Sequence, residues 1–509
     1  MTPRAPALAV LLLSLSLAPA AAAATPDVTT PVGAAFTVEG FRGEEAASRL
    51  FSFDLDLAAP RGTPVPFDAM LGGDVTLTMP MADGTVRHFN GIVSRFSAGD
   101  TDTTAHYHLT MVPKAWLLTR RQTSRIFQDM AVPQIVAQIL RSVPGLAFEM
   151  RLTGGYPPRD YCVQYRESDF DFVSRLLEEE GIYFYFRHDA GGHTMVLADT
   201  PQGSADLPGV HLYRRGTLLL PPPPGSITSW EKTQEIRSGQ VTLWDYTMET
   251  PEENYESIAT IQAAVVAGSV EHHLTAGGAA ALEQFEYPGG YAQRFDGVDR
   301  GGGDQSGELA KIAPEGRRVA GIRMQEEAAT ALVIRGASLA PDLTAGHLFV
   351  LGGHENANGK YFITGVTHTY TLPRLGRGGY SNQFTCLPDT LPYRPARRTP
   401  KPALQGTESA VVVGPPGEAT FTDKYGRVKV QFHWDRRGRN DENSSCWIRV
   451  ASPWAGAGVG PGNGPQILPR VGWEVVVSFD GGDPDKPIII GSVYNADRLP
   501  PPPPPPPEY

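Results

Sequence analysis

Cysteine is scarce in this chain, and its three thiols, Cys162, Cys386 and Cys446, stand far apart. Such scatter supports neither a disulfide framework nor a Cys-based zinc site, both of which need paired or clustered thiols. Reduced cysteines packed as small hydrophobes are what it leaves. Positive charge is also in deficit: 44 basic against 55 acidic side chains give a formal net charge of −11. Non-specific nucleic-acid binding, which depends on neutralising phosphates with a basic surface, is therefore excluded as a main role. Beyond the N-terminal segment no stretch reaches the roughly 18 consecutive apolar residues of a spanning helix, so no stable membrane insertion is expected. A nucleophile elbow is missing too, because Gly303-Asp304-Gln305-Ser306-Gly307 spaces its serine wrongly for Gly-x-Ser-x-Gly.

Turn-forming residues are plentiful instead. With 55 Gly and 46 Pro in 509 residues, a mainly β protein of short strands is expected, long enough for about three domains. Alternation predicts strands over 51–57, 74–79 and 106–110, with Ala82-Asp83-Gly84-Thr85 as a hairpin turn before 86–89. Ile135, Val136, Ile139 and Leu140 fall at helical spacing within 132–140, and Pro133 suits a first turn. A second helix opens at Ser168 as cap, with Asp169 and Asp171 at its positive end, Phe170, Val173 and Leu177 on one face, and Gly181 as its stop. A strand, 182–186, follows. Residues 305–329 read as one further helix, packing through Leu309, Ile312 and Met324.

Near the C-terminus, 427–434 alternates Val428, Val430, Phe432 and Trp434 against Arg427, Lys429, Gln431 and His433, which predicts a half-buried strand with Trp434 inside. Val475, Val477 and Phe479 line one side of 473–479, followed by a turn at 481–487 and the apolar run 488–490. Several short strands within about 75 residues favour a closed OB-like barrel, since closure removes exposed edges.

Four groups were weighed as sites. His106 and His108 share a strand face and His272 adjoins His273, but neither pair has a third ligand, so surface or packed histidines are the simpler reading. Asp480, Asp483 and Asp485 offer oxygens to a hard cation, although the interleaved Gly and Pro describe a turn. Arg436, Arg437 and Arg439, beside Asp435 and Asp441, suit either an acidic partner or a solvated hairpin tip. No catalytic, cofactor-binding or metal residue is nominated, and no cofactor is expected.

Five ordered blocks, Asp423-Lys424-Tyr425-Gly426-Arg427-Val428-Lys429-Val430, Ser445-Cys446-Trp447-Ile448-Arg449-Val450, Pro469-Arg470-Val471-Gly472, Gly482-Asp483-Pro484-Asp485-Lys486-Pro487 and Gly491-Ser492-Val493-Tyr494-Asn495, resemble the VgrG family of type VI secretion spike proteins. So does the block from Tyr161-Cys162-Val163-Gln164-Tyr165 to Phe186, with shorter matches at 287–291, 346–349 and 358–361. The resemblance implies a phage-tail-hub-like region of two barrel-like subdomains with inserted helices over 28–395, and an OB-fold spike base over 403–497. It further implies a homotrimer that adapts a hexameric, Hcp-like tail-tube ring to the spike, contacts to baseplate subunits and to effector or adaptor proteins, and no enzymatic activity. Cytoplasmic assembly followed by export through type VI secretion is the implied location. An exposed linker is expected at 394–402, where Arg397-Arg398-Thr399-Pro400-Lys401-Pro402 is rich in charge and proline.

The sequence departs from that family in three places. Residues 500–507 are proline where the family continues into a β-helical needle, so a needle-less variant with a proline-rich tail over 498–509 is expected. The 456–466 loop is richer in Gly and Pro than the family pattern. Arg4 and the apolar run 7–17, with Ala20 to Ala24 after it, make residues 1–24 either an export signal or an upstream start outside the working protein. The first of these keeps open a Sec-exported or surface carbohydrate- or protein-binding β protein; an enzyme-type effector is the other rival class.

Overall fold

The computed structural model describes residues 25–33, 36–100, 104–216, 222–374, 377–455 and 467–502. The N-terminal apolar segment, the 456–466 loop and the end of the proline tail lie outside the described residues.

One large, mainly antiparallel sheet organises the first three quarters of the chain. Its neighbours run Asp27–Thr29, Asp74–Pro80, Val86–Asp100, Thr104–Val112, Ser52–Pro60, Thr37–Ala46, Gly359–Arg374, Arg377–Pro388, Leu332–Ser338 and Ile227–Gln234. Alternation makes these strands two-faced: in Thr104–Val112 the buried positions are Ala105, Tyr107, Leu109 and Met111, with Val112 also buried at the strand's end. The sheet serves two cores. One gathers Phe53, Leu55, Leu77, Phe89 and Leu109 with helix Val132–Leu140; the other gathers Tyr291, Leu343, Phe349, Phe362 and Phe384 with helix Ile312–Ala328. The two halves meet where Thr37–Ala46 pairs with Gly359–Arg374, so a single ladder joins residues over 300 apart in sequence.

The inserted helices follow their local signals. Ser168 Oγ accepts the Asp171 N–H at 3.0 Å to start Asp169–Glu179. At the other end Gly181, with φ 68°, allows the Ile182 N–H to reach Leu177 O and its own N–H to reach Glu178 O, the paired bonds of a Schellman stop. The helix expected over 305–329 is a 3-10 segment, Ser306–Lys311, running into Ile312–Ala328; Ile312 and Met324 are buried and Leu309 packs at the edge.

The last fifth of the chain is a five-stranded barrel. Strands Glu408–Val413, Lys429–Phe432, Arg449–Val450, Glu474–Phe479 and Pro487–Val493 occur in the spatial order second, first, fourth, fifth, third. An antiparallel bridge between Val428 and Ile448, with N···O distances of 3.0 and 2.8 Å, closes the ring between third and second. This is the OB order, and Ala410, Val412, Val428, Val430, Phe432, Val475, Val477 and Ile489 fill its interior.

Two details differ from the sequence pattern. Lys429–Phe432 is buried on both faces: Lys429 and Gln431, like Arg427 just before them, are buried along with the valines between them. Lys429 Nζ donates to Glu442 O and Gln431 Nε2 to Asp435 O, so the barrel's own hairpin covers these polar groups, while the first three quarters of the chain cover Arg427. Trp434 is only half-buried. It lies outside the closed interior, stacked on Phe432 at 5.1 Å and edge-on to Tyr165 at 5.7 Å.

Candidate functional site

The contact between the large-sheet region and the barrel is held by both apolar packing and ion pairs. Strand Arg159–Ser168, paired with Gln122–Met130, presents Tyr161, Val163 and Tyr165 to Leu404, Trp434 and Cys446 on the barrel side. Around this apolar seam the bonds are directional. Arg427 reaches back to Asp296 through both terminal nitrogens at 2.8 Å while its Nε is held by Asp423 at 2.5 Å. Trp447 Nε1 donates to Asp299 O at 2.7 Å, Lys424 pairs with Asp304 at 2.8 Å, and Gln128 Nε2 donates to Asn443 O at 2.8 Å.

Residues 394–402 are exposed at Arg397, Arg398 and Pro400, as their composition suggests, but they are not a free linker; they are a strap bonded along its length. Arg394 Nη1 donates to Gly181 O and Asp199 O at 2.9 and 2.7 Å, and its Nε to Gln325 at 2.7 Å. Arg397 pairs with Glu286 and Glu326, and the Arg398 and Thr399 N–H groups converge on the Glu178 carboxylate at 3.0 and 2.9 Å. Lys401 then grips Asp483 and Asp485 at 2.6 Å each, and Asp485 also accepts the Val163 N–H at 2.7 Å. Burial works against the Lys401 ammonium, but Asp485 and Asp483 outweigh it and hold the group above its usual range.

These bonds reassign the aspartates weighed as calcium ligands: Asp483 and Asp485 are anchors for Lys401, and Asp480 stands exposed beside them. Among the described residues no group of three or more His, Cys, Asp or Glu could hold a metal ion. His106 faces Glu39 and His108 faces Asp56, both at 3.0 Å, on one strand of the large sheet; His272 contacts Gln234 at 2.9 Å on a separate hairpin. Arg436, Arg437 and Arg439 are exposed at a hairpin tip, where the Arg437 N–H closes a turn on Asp435. Ser306 Oγ donates to Asp304, itself paired with Lys424. Cys162 and Cys386 are buried and Cys446 is half-buried, all as free thiols.

A cavity of about 530 Å³ opens into the junction, lined by Asp160, Asp296, Arg427 and Trp447 together with Tyr246. Desolvation, reinforced by Asp296 and Asp129, pushes the Asp160 carboxyl up to about 7.

Tyr246 connects this cavity to an apolar face. Strands Gln240–Leu243, Ser257–Thr260 and Glu283–Glu286 form a small sheet whose inner side chains, Val241 and Leu243, lie in the core that holds helix Ile312–Ala328. Its outer side is aromatic. Ile258 and Phe285 flank Thr242 in register, and the same side continues into Trp244, Tyr246 and Tyr287. Trp244 is 50%, Phe285 55% and Tyr287 60% exposed, with ring centroids 6.2 to 6.4 Å apart. Ile490, Val493 and Tyr494 are exposed near the end of the barrel. Sequence reasoning missed this face, although Trp244-Asp245-Tyr246 and Phe285-Glu286-Tyr287 carry the alternation that signals it.

Comparison with known proteins covers nearly the whole chain. The family described as phage tail baseplate hub matches residues 44–373, and the type VI secretion system/phage-baseplate injector OB domain matches 418–494. The chain is 37% identical over 492 residues to the type VI secretion system spike protein VgrG1b of Pseudomonas aeruginosa, covering 93% of this chain and 61% of that protein. Against VgrG1a of the same organism the figures are 37% over 498 residues, 93% and 70%. Among solved structures, the E. coli c3393 protein, described as a component of the type VI secretion system with structural similarity to T4 bacteriophage tail proteins gp27 and gp5, matches with a TM-score of 0.61 at 22% identity, over 92% of this chain and 100% of that one.

Proposed function

The chain belongs to the VgrG family of type VI secretion spike proteins, and on that premise we propose that it is a homotrimeric hub and spike base that works mechanically and not as an enzyme. The observation that carries the reading is the outward apolar face of Ile258, Trp244, Phe285 and Tyr287, each half or more exposed in the single chain, the kind of surface that marks an interaction site. A copy of the same chain is the occupant that a homo-oligomer supplies, and closed threefold symmetry would repeat the contact without leaving a free end. The bonded junction supports the same role, because a body that transmits thrust must not fold at its waist.

In this reading the large-sheet region, 28–395, is the hub and 403–497 the spike base. Their partners are a hexameric Hcp-like tail-tube ring, baseplate subunits, and effector or adaptor proteins, with assembly in the cytoplasm before secretion. Light scattering coupled to size exclusion tests the first step. A trimer mass is expected at tens of micromolar protein, a range in which even a modest interface is populated. A strictly monomeric mass there would overturn the hub assignment.

A further inference from the structure

Helices Asp169–Glu179 and Ile312–Ala328 and the 394–402 strap border a solvent-open cavity of about 470 Å³ outside the barrel junction. Arg175 and Arg323 line it from the two helices, and Arg398 from the strap. Most of the surrounding charges are already committed. Glu178 takes the strap N–H groups, Glu179 pairs with Arg159 at 2.8 Å, and Glu326 serves Arg397. Arg397 also holds Glu286, and Lys401 is spent on Asp483 and Asp485.

Arg323 is left over. It is only 8% exposed, yet its Nε and Nη1 have no hydrogen-bond acceptor, and its nearest carboxylate, Glu326, stands 3.8 Å away. Arg175, more deeply buried, satisfies Nε and Nη2 on Glu167 and Val163 O but leaves Nη1 unbonded, 3.7 Å from Glu179. Burial, together with the neighbouring Arg397 charge, outweighs Glu326, Glu286 and Glu179 and depresses the Arg323 guanidinium to about 10, so at neutral pH it is still a cation, and its nearest carboxylate stands 3.8 Å away. Buried donors without acceptors are costly, and a water molecule would satisfy the N–H groups without offsetting the charge.

We propose that this cavity is a binding site for a small tetrahedral oxyanion of the phosphate class, held by Arg323 and Arg175 from the helices and by Arg398 from the strap. Arginines that line one cavity from three elements, the exposed Arg398 among them, suit an acceptor with four oxygens in three dimensions better than a planar carboxylate with two. Bound there, the anion would tie the strap to both helices.

Titration of the full chain with inorganic phosphate, followed by calorimetry and by ³¹P line broadening at ionic strength held constant with chloride, tests this. One saturable phosphate per chain is expected, together with a higher thermal midpoint. Arg323→Met should weaken binding at least tenfold and abolish the phosphate-dependent rise in midpoint, and Arg398→Gln should weaken binding several-fold. Absence of saturable binding, or binding unchanged in Arg323→Met, would overturn the site. Acetate binding as tight as phosphate would overturn the tetrahedral assignment. Should Arg323→Met fail to fold, the strap variant decides: an unchanged phosphate affinity in Arg398→Gln counts against the proposal.

Discussion

The hub–barrel junction and the aromatic face of the small sheet are both surfaces made to meet something, and they are built in opposite ways. At the junction the contacts are directional: Arg427 to Asp296, Trp447 to Asp299, Lys401 to Asp483 and Asp485. At the aromatic face they are apolar side chains without a bonded partner in the single chain. Charge pairs fix an angle and a register but cost desolvation, so they suit parts of one chain that never separate. Apolar burial is tolerant of angle and gains from area, which would suit the separately made copies of the proposed trimer.

Removing a charge from the junction is the hardest blow to that contrast. Arg427→Ala leaves Asp296 and Asp423 buried without their cation, and a loss of about 3–5 kcal/mol is expected in chemical denaturation, with the barrel melting ahead of the hub. A single transition at the wild-type midpoint would mean the junction does not couple the two. Trp434→Ala should cost roughly 2 kcal/mol, below the 3–5 of a fully enclosed aromatic because the ring is half-buried. A double-mutant cycle with Tyr165→Ala should show a coupling of about 0.5–1.5 kcal/mol; additive losses would place Trp434 wholly within the barrel's account.

Asp160 tests the junction from the other direction. Its folded pKa of about 7 lies above the ordinary 3.8, so the folded protein holds this proton more tightly than the unfolded chain. Its contribution therefore erodes as pH rises from about 4 to 7, and the full penalty stands above that range. Asp160→Asn should stabilise the protein by about 1–2 kcal/mol at pH 8, a solvent-discounted figure, and by nothing near pH 3. An equal effect at both pH values would rule out titration as the cause. The smallest effect on the folded chain is expected at the aromatic face: Trp244→Ser with Phe285→Ser should shift monomer stability by no more than about 0.5 kcal/mol while lowering the oligomeric mass. A large loss of chain stability with the trimer intact would make that face part of the core.

Much of the architecture is written locally. Ser168 as cap, Gly181 as stop, the Asp83-Gly84 turn and the inward Val475, Val477 and Phe479 were all legible because each depends on neighbours within a few residues. The strap and the polar face of 427–431 were not. Arg397, Thr399 and Lys401 read as solvated until Glu178, 221 residues before Thr399, accepts the backbone N–H groups of Arg398 and Thr399. The same blindness applied to Asp483 and Asp485, whose carboxylates suggest a cation and receive one, in the form of a lysine from the strap. The aromatic face was visible as alternation but was not recognised, since alternation alone does not say which side faces water.

The strap also bears on inheritance. Its short run of residues matches donors and acceptors on the hub and on the barrel at once, with Glu178, Glu286 and Glu326 on one side and Asp483 and Asp485 on the other. A barrel exchanged from a distant homologue would arrive with aspartates answering to a different lysine, and a hub exchanged the other way would lose its grip on Arg397. Recombination should therefore favour crossovers that carry the strap and both sets of carboxylates together, so that the two bodies descend as a single heritable unit.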